Sequence, residues 1–421
     1  MSSTGTGSAP APGAPGPPLA PLPPDEGLAP RERAHYLVQR LRTGELGSLP
    51  VVIGVLAIWA VFQSLNSRFL SAQNLSNLSI DIVPTGMISV GIVFVLLLGE
   101  IDLSVGSVSG ACAAVMAVLQ VDHGWNPALA IIAAILVGLA IGFIQGVFFA
   151  KVGVPAFVVT LAGLLAWNGL QLWILGPNGT INLPYNGFVS DLTSTYFTQE
   201  IVAYAVAVAA VALYAAAALY GARRRRAAGI PARPVAEILL RTGVLAVLCI
   251  LTAWVLNEYK GLPLALVIFL VVVVGSDLIL RRVGAGRKVY AVGGNAEAAR
   301  RAGINISTVR IAVFAVCSGM AAVGGIFAAS RISSASQATG QSNVLMMSIA
   351  AAVIGGTSLF GGRGSTWSAL LGMLVIQSIA SGMALQGVSN SIQFMVTGAV
   401  LLAAVVLDSL SRRSRRTAGR A

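Results

Sequence analysis

Residues 281–310, RRVGAGRKVYAVGGNAEAARRAGINISTVR, break a chain that otherwise runs from one apolar stretch to the next. Within this basic segment lies a complete short-helix signature. Asn295 has the side chain of an N-cap, and Glu297 falls in the first turn, where the helix dipole favours a negative charge. Gly303 can end the helix in a left-handed conformation. Ala298, Ala299, Arg300 and Arg301 fill the helix between cap and stop. A polytopic membrane protein has no need of a capped, charged helix outside the bilayer for its own stability. Such a helix gives a soluble partner something to grip.

Composition decides what the flanks are. The 421 residues are 56% hydrophobic and 10% charged, with a mean hydropathy of +0.83. Soluble domains carry about 25% charged residues, so the chain is expected in a membrane, as an all-α polytopic protein. A span needs roughly 20 apolar residues. Twelve candidates lie near 49–66, 75–98, 103–121, 127–150, 154–175, 200–220, 237–257, 262–280, 308–329, 344–360, 366–385 and 391–408. The tenth is short and glycine-rich, and the second and third are separated by a possible break around Glu100 and Asp102, so the range is 10–12. With both termini cytoplasmic, all but three of the 27 Lys and Arg fall on the cytoplasmic side, as the resistance of basic loops to translocation requires. The exceptions are Arg68, Lys260 and Arg331. The net charge of +12 therefore reports topology and contact with anionic membrane lipid, and a nucleic-acid partner is not expected.

Three regions follow. Residues 1–48 are a Pro/Gly/Ala-rich tail expected to be disordered, ending in a basic juxtamembrane segment. Residues 49–408 form the membrane domain, with the polar loop at 281–307, and 409–421 are a basic cytoplasmic tail. Cys112, Cys249 and Cys317 each fall within a span and read as small apolar packing groups.

Catalytic chemistry is hard to build from these residues. None of the lysines, Lys151, Lys260 and Lys288, follows a glycine, so no phosphate-binding loop of the usual pattern exists. His35 and His123 fall on opposite sides of the membrane, which leaves neither a metal site nor a Ser-His pair. The chain is expected to be neither an enzyme nor a holder of its own cofactor.

Polar groups inside spans are costly and default to function. Of the acids, Asp81 lies in the second span, Glu100 and Asp102 flank the break before the third, and Asp277 and Asp408 sit at inner helix ends from which they reach water. For Asp102, capping of the third span competes with a role in gating. Neutral amides are more numerous: Gln145, Asn168, Gln171, Gln377 and Gln393, with Trp167 and Trp173 beside two of them. Amides and aromatic faces suit a neutral polyhydroxylated solute. The alternative for each is a hydrogen bond between helices. Two glycine-bearing stretches, GEIDLSVGS at 99–107 and GGTSLFGGRGS at 355–365, each follow an apolar run and allow tight turns and close helix approach.

GGNAEAARRAGI at 293–304, GEIDLSVGS at 99–107, VPAFVVTLAG at 154–163 and AAVIGGTSLFGGRGS at 351–365 together resemble the membrane permeases of bacterial ABC sugar importers. The branch is the one that moves ribose, xylose, galactose and related monosaccharides. The likeness covers about 50–410 and is nearest to the xylose permeases, which share an extra pair of spans at about 200–260 and the AWVLNEYKGLP stretch at 253–263. The resemblance implies a task for the polar loop. Glu297-Ala298-Ala299 followed by Gly303 matches the EAA···G pattern by which such permeases present a coupling helix to an ATPase; the downstream Ile-x-Leu-Pro of the fullest pattern is missing here. It also implies partners: a second copy of the permease, an ABC ATP-binding protein with tandem nucleotide-binding domains that holds ATP and Mg, an extracytoplasmic sugar-binding protein and a monosaccharide substrate. The implied location is the bacterial inner (plasma) membrane. The outside loops around 176–199 and 330–342 would receive the binding protein, with Arg331 either a contact or an interfacial anchor.

Three other readings compete. One keeps the superfamily but changes the solute to a nucleoside, a branched-chain amino acid or an autoinducer sugar; the scarcity of central charge favours a neutral one. A secondary carrier would have no ATPase partner for the 295–303 helix to engage. A membrane enzyme is disfavoured by the histidine count.

Overall fold

The computed structural model describes residues 49–417. The expected disordered tail, 1–48, lies outside the described residues. Fifteen helices and four very short strands make up the rest. In chain order these are α1 (Leu49–Leu65), α2 (Ala72–Leu97), α3 (Val105–Ala117), α4 (Pro127–Val147), α5 (Ala156–Leu175), β1 (Thr180–Asn182), α6 (Phe188–Ser194), β2 (Tyr196–Phe197), α7 (Glu200–Ala227) and α8 (Val235–Asn257). There follow β3 (Leu262–Pro263), α9 (Leu264–Arg282), α10 (Gly284–Gly294), α11 (Ala296–Arg301), α12 (Ile306–Ile332), β4 (Ser334–Ser336), α13 (Ser342–Ile354), α14 (Trp367–Leu385) and α15 (Asn390–Thr417). Helices α3 and α4 each end in a wider π turn, over Val118–Asp122 and Phe148–Val152.

Every apolar stretch read from the sequence coincides with a helix. Nine helices among the described residues are long and apolar enough to cross a membrane; α1, the apolar part of α15 and α13 are shorter. The protein is therefore an all-α, multi-pass membrane chain. Several boundaries differ from expectation; α7, expected to end near 220, runs on to Ala227. The tenth stretch, expected to reach residue 360, stops at Ile354, because Gly355 packs directly on the Ser368 backbone and Gly356 turns at φ +106°. Helix α15 continues through Thr417, so most of the expected C-terminal tail extends that helix.

The centre is built on α12, which packs along α4, α2 and α3. Lipid offers apolar side chains no drive toward one another, so close backbone approach has to supply the cohesion. Gly138, Gly142 and Gly146, four apart on α4, lie against Ser318, Phe314 and Ile311 of α12, with no space for a side chain between. Helix α2 is the most enclosed, 83% buried over its apolar window, whereas α7 and α8 are 11% buried. The strands pair antiparallel at one end of the bundle: β1 with β4 (Thr180 opposite Ser336) and β2 with β3 (Tyr196 opposite Pro263). Residues 283–305 gather at the other end, called the loop end below.

Candidate functional site

At the loop end the chain folds into two helices, where the sequence suggested an extended loop carrying one. Helix α10 was hidden by its glycines at 284, 286, 293 and 294, which weigh against a helix. It forms because Val289 and Val292 bury one face. Helix α11 follows at once, and its signature is realised atom by atom. Asn295 Oδ1 accepts from the Ala298 backbone N–H at 2.9 Å. Gly303 adopts φ +81°, its N–H donates to the Arg300 carbonyl at 2.9 Å, and Ile304 N–H donates to Ala299 O at 3.0 Å, closing the helix with a paired C-terminal bond set. Ala299 is buried and seats the helix, while Glu297, Ala298, Arg300, Arg301 and Gly303 are exposed. Glu297 lies 3.4 Å from Arg301 Nε and 3.8 Å from Arg300 Nη1, all three well solvated. Pairs so exposed stabilise little, so their charges remain free to meet a partner.

Beneath α11 the two glycine-bearing stretches meet each other and the end of α10. Gly362 N–H donates to the Leu97 carbonyl, the last residue of α2, at 2.9 Å. A Cβ on Gly293 would overlap that same carbonyl and approach Gly362 N at 3.0 Å. Gly99 (φ +79°) lies against Phe360 and Gly361, and Gly361 (φ +84°) faces Gly293 O. Tyr290 Oη adds a hydrogen bond to Gly364 O at 2.9 Å. Three backbone segments thus touch without intervening side chains, which makes the junction stiff. Movement of α10 and α11 cannot be absorbed by side-chain rotation here.

A second tie runs through the start of α12. Arg310 Nη2 lies 3.9 Å from Glu100 Oε1, and its guanidinium sits over the Phe149 ring, 4.5 Å from the centroid. Burial pushes the Glu100 carboxyl up, while the Arg310 charge pulls it down. Ser307 Oγ donates to Ala150 O at 3.2 Å, linking α12 to the π turn that ends α4.

The polar residues within the spans separate into groups. Asp102, Ser104 and Gln145 form one buried chain: Gln145 Nε2 donates to Ser104 Oγ at 2.9 Å, and Ser104 Oγ donates to Asp102 Oδ1 at 2.6 Å. Asp102 Oδ1 also accepts from Ser104 N–H at 2.8 Å, an Asx turn that leads into α3. The residue at the helix start is Ser104, and no side chain makes a capping bond to the first turn, so the capping expected of Asp102 does not form. Trp167 belongs to this group, since its Nε1 and Gln145 Nε2 converge on the space above Gly163; the Trp167 N–H itself is buried and without a hydrogen-bond partner among the described residues. Gln171 is elsewhere, its amide donating to Ser336 O at 2.8 Å and Thr339 O at 3.0 Å to seat the β4 turn. Gln393 bonds locally to Val388 O at 2.9 Å. Gln377 is half-buried on α14 and makes no hydrogen bond among the described residues, and Asn168 is exposed on α5 between Leu161, Leu165 and Leu172. The five amides therefore do not converge on one cavity. Asp81, in the third turn of α2, meets Arg331 Nε at 2.9 Å at the strand end of α12. Arg331, for which the sequence suggested a docking contact or an interfacial anchor, is held by this carboxylate.

The chain matches, over residues 74–405, the family described as the permease component of branched-chain amino acid transport systems. This chain belongs to that permease family. The xylose transport system permease protein of Escherichia coli is 35% identical over 375 residues, 89% of this chain and 94% of the relative. The corresponding protein of Haemophilus influenzae is 32% identical over 377 residues, 89% and 99% of the two chains. The ribose import permease protein of Escherichia coli is 31% identical over 362 residues, 85% and 92%. No solved structure matches the chain. In this permease, then, the parts that sequence reasoning did not single out are Tyr290, Arg310, Phe149 and the Leu97–Gly293–Gly362 contact. The paired glycines at 293–294 and 361–362 were the available signal for the last.

Proposed function

We propose that the chain is the membrane subunit of an ATP-driven importer for a neutral monosaccharide, with xylose the favoured substrate. The relatives named for xylose support that choice; those named for ribose, at 31% identity, make ribose the second reading. The transport pathway is formed with a second copy of the chain, and an extracytoplasmic sugar-binding protein delivers the substrate. An ABC ATP-binding protein with tandem nucleotide-binding domains supplies ATP and Mg. Both termini and the loop end face the cytoplasm, in accord with the distribution of Lys and Arg.

The observation that carries this reading is a rigid, exposed, doubly capped helix seated on a junction of bare backbone. A cleft on the ATPase takes α11 by its exposed Glu297, Arg300 and Arg301. When the nucleotide-binding domains close, α11 and α10 shift together. The Gly293 contact passes that displacement to the end of α2 and to residues 355–364, while α12, continuous from Ile306, carries it along the central helix. Asp102 and Ser104 lie in the α2–α3 break, bonded to Gln145 of α4, where such a movement would arrive.

The test is uptake of radiolabelled xylose by vesicles containing this chain, its ATPase and its binding protein. Accumulation that stops when the ATPase is inactivated supports class and substrate together. Uptake of ribose with none of xylose changes the cargo alone. Within the same assay Glu297→Arg should abolish uptake and leave membrane insertion intact. Normal uptake in that variant removes α11 from the coupling role.

A further inference from the structure

The α7–α8 hairpin takes no part in that mechanism. It leaves the bundle after Phe197 and returns at Leu262, residues that pair across β2 and β3, so residues 198–261 are a closed excursion from one point of the fold. The two helices pack chiefly on each other, with α8 also touching α2. Almost all their apolar surface is left to lipid. Helix α7 runs away from the strand end, is apolar through Leu219, exposes Tyr220 at 70%, and then carries Arg223, Arg224, Arg225 and Arg226 in succession.

All four arginines are exposed, and none has a carboxylate partner among the described residues. Four consecutive positions fan over about 300° of a helix circumference, so no single protein surface could meet them all. Glu237, at the start of α8, is taken by Arg241 at 2.7 Å and by Arg233 at 3.9 Å. The α7 C-terminus favours cations through its dipole but supplies no charge to neutralise four of them. An exposed tyrosine followed by a cation cluster marks the level at which hydrocarbon gives way to headgroups. Guanidinium groups match phosphate oxygens in paired hydrogen bonds. We propose that Arg223–Arg226 form a binding site for anionic phospholipid headgroups, which hold the tip of the hairpin at the membrane surface. The site requires only that α7 spans the bilayer, and it stands whether or not the chain imports a sugar.

The purified full-length chain, equilibrated with equal phosphatidylglycerol and phosphatidylcholine, would be examined by native mass spectrometry for retained lipid. The unaltered chain should keep phosphatidylglycerol over phosphatidylcholine by roughly fivefold, the ratio that about 1 kcal/mol of surface attraction gives. Changing all four arginines to Gln should clearly lower the ratio, the remainder being due to the other basic segments of the chain, and changing all four to Lys should keep most of it. High salt should lower the ratio in the unaltered chain. If the four-Gln protein fails to insert, the pair Arg224→Gln and Arg225→Gln should lose part of the preference. An unchanged ratio in either Gln variant, or no preference in the unaltered chain, overturns the proposal. Displacement of the lipid by inorganic phosphate would also overturn it, assigning the arginines to free anions.

Discussion

Gly293 shows how much can rest on the lack of one carbon. Its α-carbon faces the Leu97 carbonyl so closely that a methyl group has nowhere to go, while a Cβ on its neighbour Gly294 would meet nothing within 4 Å. The two glycines share a helix and a sequence context, so they form a matched pair. Gly293→Ala should force α10 away from α2 at a cost of about 1–3 kcal/mol, typical of overpacking a tight contact, and should cut uptake sharply. Gly294→Ala should leave uptake near normal. Equal effects from the two, measured with thermal stability alongside, would mean that the junction does not carry displacement. Asn168 is the other residue to test singly, as a polar group exposed among leucines on α5. Asn168→Leu should reduce transport without changing assembly with the ATPase if a solute passes it, and unchanged transport assigns it to packing.

At the scale of elements, α11 is six residues long and could not persist as an isolated helix. Its caps hold it. Asn295→Ala removes the bond to Ala298 N–H and should cost about 1 kcal/mol of local helix stability. The expected result is weaker ATPase binding and slower uptake, with most of both regained in Asn295→Asp, which keeps the acceptor. Full activity in the Ala variant would show that partner contacts alone fold the helix. This helix could be read from residues 295–303 because capping is a local matter of side-chain type and spacing. The membrane helices were legible for a similar reason, since hydrocarbon thickness sets their length. Helix α10 was not, as its glycines serve a contact with Leu97 that lies far away in sequence. The amides were legible as polar residues in spans, but not their partners: Gln145 and Gln171 look alike in sequence and are both buried, yet one joins a chain of polar side chains while the other fastens the backbone of the turn after β4.

Across the whole bundle, α2 and α12 run antiparallel and are tied by two ion pairs, Asp81 with Arg331 toward the strand end and Glu100 with Arg310 at the loop end. Each pair is about a third exposed, so water screens it and its contribution to stability is of the order of 1 kcal/mol or less. Such weak pairs are poorly suited to holding the bundle together, which the glycine contacts of α4 and α12 already do. They suit a different task, since contacts of this strength can be broken and remade as α12 moves relative to α2. The loop-end pair is the nearer to α11 and has the added constraint of the Phe149 ring on the guanidinium. Arg310→Glu should therefore leave the protein folded with its melting temperature little changed, yet depress uptake several-fold while the ATPase still binds. Reversing both charges, Glu100→Arg with Arg310→Glu, restores the attraction but not the ring contact, because a carboxylate gains nothing from an aromatic face. Partial recovery in the double variant is the expected outcome. No recovery, with both single variants equally inactive, would place the function of Arg310 in its contact with Phe149, and normal uptake in Arg310→Glu would leave the glycine junction as the sole route from α11 to the spans.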